Sequence, residues 1–336
     1  MDPTARVRLG RSDLRVTRLG LGTAPLGGLF APVAEADAHA AVARAYDEGL
    51  RLFDTAPLYG SGLAERRVGC VLGRYPRSEF VLATKVGRLL RADAPPDPTQ
   101  LHEGLPIYKG TPPLNPSFDF SYDGVLRSLE ESLERLGLDR VDVVHIHDPD
   151  HHYDESLAGA YRALDRLRRD GTIGAVGVGM NRTEMLVRFA RAVDVDCFLV
   201  AGRYTLLDQD ALRELLPLCL EKAIAVIAGG VYNSGVLAAP GPDATFDYIP
   251  ASREVVARAR QMQTVCASHG VPLAAAAIQF PFGHPSVAAV VIGCRSADEV
   301  AENVRLFRHP IPAALWEDLR RARLIASDAP VPSEAA

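Results

Sequence analysis

The chain has 336 residues, 48% of them apolar and 24% charged, an ordinary balance for a globular protein long enough to bury a large core. A formal net charge of -5 without any Lys/Arg run excludes the electrostatic footprint of a nucleic-acid binder, and no apolar stretch approaches the ~20 residues that span a bilayer. The N-terminus, MDPTARVRLGRSDLRV, lacks the apolar core of a secretory signal. The five scattered cysteines (Cys70, Cys197, Cys219, Cys266, Cys294) form no CxxC pair, so the expectation is reduced thiols in a cytoplasmic protein.

Taken in chain order, residues 7–16 alternate around a Gly-Arg-Ser-Asp turn and predict a small N-terminal β-hairpin. Eight short apolar runs follow, at 18–23, 52–54, 80–86, 141–147, 173–179, 197–201, 223–229 and 287–293. Several are nearly continuous in Val, Ile, Leu and Ala, as strands covered on both faces should be. Amphipathic stretches at 34–48, 122–136, 155–169, 183–192, 209–221 and 298–307 lie between or after them, with Gly137 and Gly171 at C-cap positions.

Strand and helix alternate with no break in composition. This pattern predicts an α/β fold, a single (β/α)8 TIM barrel over residues 1–326 with a flexible tail expected at 327–336, in preference to an open doubly wound sheet. The open sheet would carry a GxGxxG turn after its first strand, but GLGTAPLGG places Thr, Ala and Pro there. The proline-rich stretch 87–119 is expected as a long loop after strand three, overhanging the face where barrel enzymes do their chemistry.

Polar residues gather at the C-terminal ends of three adjacent strands. FDTAPLYG offers Asp54 and Tyr59, ATKVGR offers Lys85, and VHIHDPD offers His145 and His147. Singly, each reads as a solvated or packing residue. Together they suit hydride transfer: a phenol with an ordinary pKa of about 10 needs a nearby ammonium to act near neutrality, a carboxylate can hold that ammonium, and an imidazole can orient the substrate oxygen.

With these motifs the sequence resembles the aldo-keto reductase family from the hairpin to about residue 310. FDTAPLYGSG (53–62), ATKVG (83–87), LRSLEESLERLGLDRVD (126–142) and IHDPD (146–150) occur in the family's order and spacing. The resemblance implies a catalytic tetrad in which Tyr59 is the acid/base, Lys85 tunes it, Asp54 pairs with Lys85, and His147 positions the substrate oxygen. It also implies a nicotinamide cofactor. Gly22, Thr23 and Asp54 would border it, and Asn181 would hold the carboxamide. Gly229 stands where relatives carry a stacking aromatic, and Ala201 where they carry Gln. Asn233, Ser234 and Gly235 would meet the pyrophosphate through backbone groups. Gly293 and Arg295 would follow strand eight, and Glu302 and Asn303 would face the adenine. Glu299, where NADPH-preferring members often carry Arg, favours NAD, with Arg295 leaving NADP open.

GVGMN, VAGRYTLLDQ and GGVYNSG resemble the branch of aldose (L-fucose or D-threo-aldose) 1-dehydrogenases and pyridoxal 4-dehydrogenases. That branch implies a small sugar, aldehyde or hemiacetal substrate, oxidised to a lactone, with no nucleic-acid or membrane partner. A general aldehyde or ketone reductase is an alternative. Two rival readings are a metal-dependent hydrolase using His145, His147, Asp148, Asp150, His151 and His152, and a non-catalytic regulatory subunit. The first lacks a His from any other strand end and the second sits poorly with an intact acid–base set, so no metal is expected. Oligomeric state is unmarked.

Overall fold

Eight parallel strands close on themselves in sequence order: β1 (Leu19–Gly22), β2 (Leu52–Asp54), β3 (Val81–Val86), β4 (Val143–His147), β5 (Ala175–Met180), β6 (Cys197–Ala201), β7 (Ala225–Gly229) and β8 (Val287–Gly293). β8 pairs with β1 through Val290 beside Leu19, which seals the barrel. This computed structural model describes residues 1–333, so residues 334–336 of the expected tail lie outside the described residues.

Side chains alternate between two cores, which is why the strands read as unbroken apolar runs. Leu52, Val81, Ala83, Val143, Ala175, Leu199, Ile227 and Val291 fill the barrel interior, whereas Phe53, Leu82, Val144, Val176, Phe198 and Val226 face the helices. The N-terminal hairpin pairs Arg6–Arg8 with Arg15–Thr17, and its Leu9 and Val16 join the interior layer as a plug. Val141 and Ile173, expected within strands four and five, are buried without entering the ladder.

The outer ring comprises α1 (Glu35–Asp47), α2 (Leu63–Leu72), α3 (Tyr122–Leu136), α4 (Arg162–Arg169), α5 (Thr183–Ala192), α6 (Leu215–Glu221), α7 (Arg253–Ser268), α8 (Leu273–Gln279), α9 (Ala297–Arg308) and α10 (Ala313–Arg321). Ser121 caps α3 by accepting from the Gly124 N–H, and Gly137 ends it in the left-handed conformation at φ 62°. The stretch expected as one helix at 155–169 enters through a π turn, Ser156–Tyr161. The one at 209–221 breaks into a short turn, Asp210–Leu212, and α6.

The 87–119 segment is more ordered than its proline content suggests. Arg88–Arg91 pairs antiparallel with Asn115–Phe118, and Leu101–His102 with Leu105–Pro106. The Phe30 N–H bonds Ile107 O and the Lys109 N–H bonds Gly28 O, both at 2.9 Å, fixing the segment against the loop after β1. A further small hairpin, Thr245–Phe246 with Ile249–Pro250, rises between β7 and α7. Residues 327–331, expected as the start of a flexible tail, lie against the protein: Ala329 is fully buried, its carbonyl accepts from Arg320, and Pro330 and Val331 cover Gly283. Among the described residues no single helix is long and apolar enough to cross a membrane.

Candidate active site

The ends of β2, β3 and β4 bring Asp54, Lys85 and His147 together, and Tyr59 reaches them from the turn after β2. The Lys85 ammonium donates to both carboxylate oxygens of Asp54, at 2.8 and 2.7 Å, and to Thr55 O at 2.9 Å. It lies 4.6 Å from the Tyr59 ring centroid. The His147 ring stands perpendicular to that of Tyr59, with centroids 6.0 Å apart. Asp54, Lys85 and His147 are buried and Tyr59 is half-buried. Among the described residues the Tyr59 hydroxyl has no hydrogen-bond partner, so it is open to a ligand.

His145 also points inward, but deeper. Its position is made by Gly177 on the neighbouring strand, where a Cβ would lie 2.4 Å from His145 Nδ1. Both its ring nitrogens are buried without a partner. Among the described residues, no three of His, Cys, Asp and Glu converge as a metal ion would require.

The electrostatics differ from the simplest expectation. Burial, followed by the Asp54 carboxylate, pushes the Tyr59 phenol well above its ordinary value. The expected lowering by Lys85 is not seen, because Asp54 already neutralises that ammonium. Burial works against charge on both partners of the pair, raising Asp54 and lowering Lys85, while each partner's attraction opposes it. Burial, with Arg88 and Lys85 nearby, also drives His147 well below its ordinary value, so its imidazole is neutral. The resting site therefore presents a neutral phenol and a neutral imidazole beside a closed ion pair.

A cavity of about 1210 Å³ opens from Tyr59 along the C-terminal face of the barrel. Gly22, Thr23 and Asp54 border its inner end, with Asn181 after β5 and Gly229 at the end of β7. Asn233, Ser234 and Gly235 line its middle, and Gly293, Arg295, Glu299, Glu302 and Asn303 its far end. The structure thus brings every residue expected at the cofactor to one cleft.

Several of these groups are engaged in ways the sequence does not reveal. Asn233, Ser234 and Gly235 all have positive φ, and the N–H groups of Asn233 and Gly235 already bond Gly230 O and Tyr232 O. Of the three amides, only that of Ser234 has no partner among the described residues. Asn303 donates to Glu299 O at 2.8 Å and accepts from the Tyr232 hydroxyl at 2.5 Å, so it braces α9 instead of offering a free edge. Arg295 is tied to Glu299, through its backbone N–H at 2.8 Å and its guanidinium at 3.3 Å. The Glu302 carboxylate pairs with Arg305. Asn181 is different: its side-chain amide has no partner among the described residues and faces the cleft.

Sequence reasoning missed Tyr108, Tyr232, Tyr248 and the Arg203–Asp247 pair. The Tyr108 ring stacks over Tyr59 with centroids 6.5 Å apart. Arg203 binds Asp247 at 2.9 Å and Asn181 O at 2.9 Å, and the Tyr248 N–H bonds Ser234 Oγ, so the small hairpin is strapped across the cleft. Asp247 and Tyr248 both have positive φ, as a two-residue hairpin turn demands, yet neither is the glycine that would have signalled one.

The model for the Aldo/keto reductase family matches residues 18–323. Pyridoxal 4-dehydrogenase of Microbacterium luteolum is 41% identical over 340 residues, covering 95% of this chain and 97% of that protein. D-threo-aldose 1-dehydrogenase of a Pseudomonas species is 42% identical, covering 94% of this chain and 96% of that protein. Among solved structures, the holo form of aldo-keto reductase AKR11C1 from Bacillus halodurans superposes with a TM-score of 0.74 at 25% identity, covering 98% of this chain and 99% of that one.

Proposed function

The chain belongs to the aldo/keto reductase family, an NAD(P)-dependent oxidoreductase on a (β/α)8 barrel, and from that premise we propose that it oxidises a cyclic hemiacetal to its lactone. The observation that carries this reading is the open Tyr59 hydroxyl at the inner end of the long cleft, with Lys85 and His147 against its ring. The cytoplasm is the proposed compartment, and small sugars or pyridoxal the proposed substrates.

The cleft fits a nicotinamide dinucleotide. The free Asn181 amide would hold the carboxamide, the Ser234 N–H would meet the pyrophosphate, and the α9 side would take the adenosine. Bound in its oxidised form, the nicotinamide would supply the hydride acceptor and a positive charge. For oxidation Tyr59 first releases its own proton to water in the open cleft, a loss that a cationic cofactor would favour, and the resulting phenolate takes up the proton of the anomeric hydroxyl. Lys85 and Asp54, closed on each other, fix the electrostatic floor beneath that phenol. His147, held neutral by burial, donates a hydrogen bond to the substrate oxygen and sets its direction. In the reverse direction the neutral Tyr59 gives its proton to a carbonyl oxygen. Glu299 supports NAD over NADP, because it occupies Arg295 and adds negative charge to the cleft lining, which would disfavour a 2′-phosphate.

The two relatives at 41% and 42% identity are named for pyridoxal and for a D-threo-aldose, both of which form cyclic hemiacetals. Incubation with NAD and each candidate, followed by mass spectrometry, tests the reading. A product lighter by two hydrogen atoms than the hemiacetal supports it, and unchanged substrate across the panel refutes it.

A further inference from the structure

One charged group beside the tetrad is not explained by cofactor binding or proton transfer. Asp148 follows His147 at the end of β4 with φ 41°, in the left-handed region. Such a conformation persists only where its surroundings enforce it, although Asp tolerates it better than most residues. Its Oδ2 accepts from Arg88 at 2.8 Å and lies 3.4 Å from His147 Nε2. Its Oδ1 has no partner among the described residues, and the side chain remains 28% exposed.

The arrangement behind it is deeply buried. The Arg88 side chain is only 5% exposed, with its Nε and Nη1 atoms lacking any hydrogen bond, and Asp97 from the 87–119 segment lies 3.7 Å from Nη1. Buried ions of this kind are weak contributors to stability, since apolar residues of similar size often serve as well. What the arrangement does achieve is to fix one carboxylate, with one oxygen open, next to the group that orients the substrate.

His147, next to Asp148 in the chain, stands edge-on to the Tyr59 ring, and the Tyr108 ring stacks over Tyr59. The hydroxyls of Tyr108 and Tyr248 have no partner among the described residues. Tyr248 holds its positive φ of 67° at the tip of the hairpin strapped down by Arg203 and Ser234. The turn after β2 and the 87–119 segment thus bring Tyr59 and Tyr108 together beside His147 and its neighbour Asp148, and Tyr248 lines the same cleft as Tyr59.

We propose that Asp148, clamped by Arg88, is a specificity-determining acceptor for the hydroxyl on the carbon next to the one oxidised, so that the site selects polyhydroxylated cyclic hemiacetals over deoxy sugars and plain aldehydes. This rests on the hemiacetal oxidation proposed above. The selection follows from an asymmetry: a hydroxyl satisfies the open oxygen, whereas a substrate without one desolvates the carboxylate and leaves it unpaired.

The test compares D-arabinose with 2-deoxy-D-ribose, which differ only in that hydroxyl, using wild type, Asp148→Asn and Asp148→Gly. Asn and Gly are the residues most at ease at positive φ, so both variants should fold, and thermal unfolding together with NAD binding verifies this. The expected result is that wild type prefers D-arabinose in kcat/KM by at least about tenfold and that both variants bring the ratio close to one. An unchanged ratio in the folded variants overturns the proposal while leaving the hemiacetal oxidation standing. A wild type inert toward both sugars but active on pyridoxal also overturns it alone. Inertness toward pyridoxal as well removes the underlying reaction.

Discussion

Lys85 is held by both oxygens of Asp54, at 2.7 and 2.8 Å, while its ammonium lies 4.6 Å from the Tyr59 ring. Both ends of this pair are buried, so each charge is tolerable only because of the other. Lys85→Met alone strands the Asp54 carboxylate and should destabilise the protein by about 3–5 kcal/mol. The double variant Asp54→Leu/Lys85→Met should recover most of that loss, since it leaves no unpaired charge. Denaturant unfolding of the single and double variants checks this, and equal losses would show that the two charges do not compensate each other.

His145 predicts a feature of acid stability. Burial holds it down at about 3, against an ordinary value of 6.5. Between those values the unfolded chain binds a proton that the folded protein excludes, so stability falls as pH falls through this window. At pH 5 the effect amounts to about 2 kcal/mol relative to neutral pH. His145→Leu removes the titrating group and should make the loss of stability between pH 7 and pH 5 smaller by about that amount. Unfolding curves at the two pH values give the answer, and parallel losses in both proteins would assign the acid limb to other groups.

Glu299 is the simplest test of cofactor choice. Its carboxylate engages Arg295 from backbone and side chain at once. Glu299→Ala should free that guanidinium and remove the negative charge. The expected shift in the NADP to NAD affinity ratio is about tenfold toward NADP, equivalent to ~1.4 kcal/mol. Calorimetric titration of both nucleotides measures it. A ratio that does not move would place the discrimination elsewhere in the cleft.

Some of this architecture was legible from the residues because it rests on local pattern. Both faces of the barrel strands are apolar, so runs such as 197–201 and 287–293 coincide with β6 and β8. Helix α2 was illegible for a specific reason: Glu65 and Arg67, which look like solvent-facing charges, are buried. Glu65 accepts from Thr84 and Arg135, and Arg67 donates to Val33 O and Glu35. Helix α8 is built largely of alanine and carries no apolar stripe to read.

The positions of Asp54, Tyr59, Lys85 and His147 could be anticipated because each lies at or just beyond a strand end. The placement of Tyr108 and Tyr248 could not. Tyr108 depends on a pairing between the 87–119 segment and the loop after β1, and Tyr248 on a turn without glycine. Both are set by contacts distant in sequence, which periodicity does not register.

We propose that Tyr59 moves the proton while hydride passes between a hemiacetal carbon and the nicotinamide. The most direct test is the steady-state rate of NADH formation by wild type and Tyr59→Phe, using D-arabinose, L-fucose and pyridoxal, with NAD binding measured on both proteins. Turnover of at least one hemiacetal by wild type, a loss of about 10²- to 10⁴-fold in kcat for the variant, and unchanged NAD affinity are expected. Turnover by Tyr59→Phe at the wild-type rate, or none by wild type on any of the three, would contradict it.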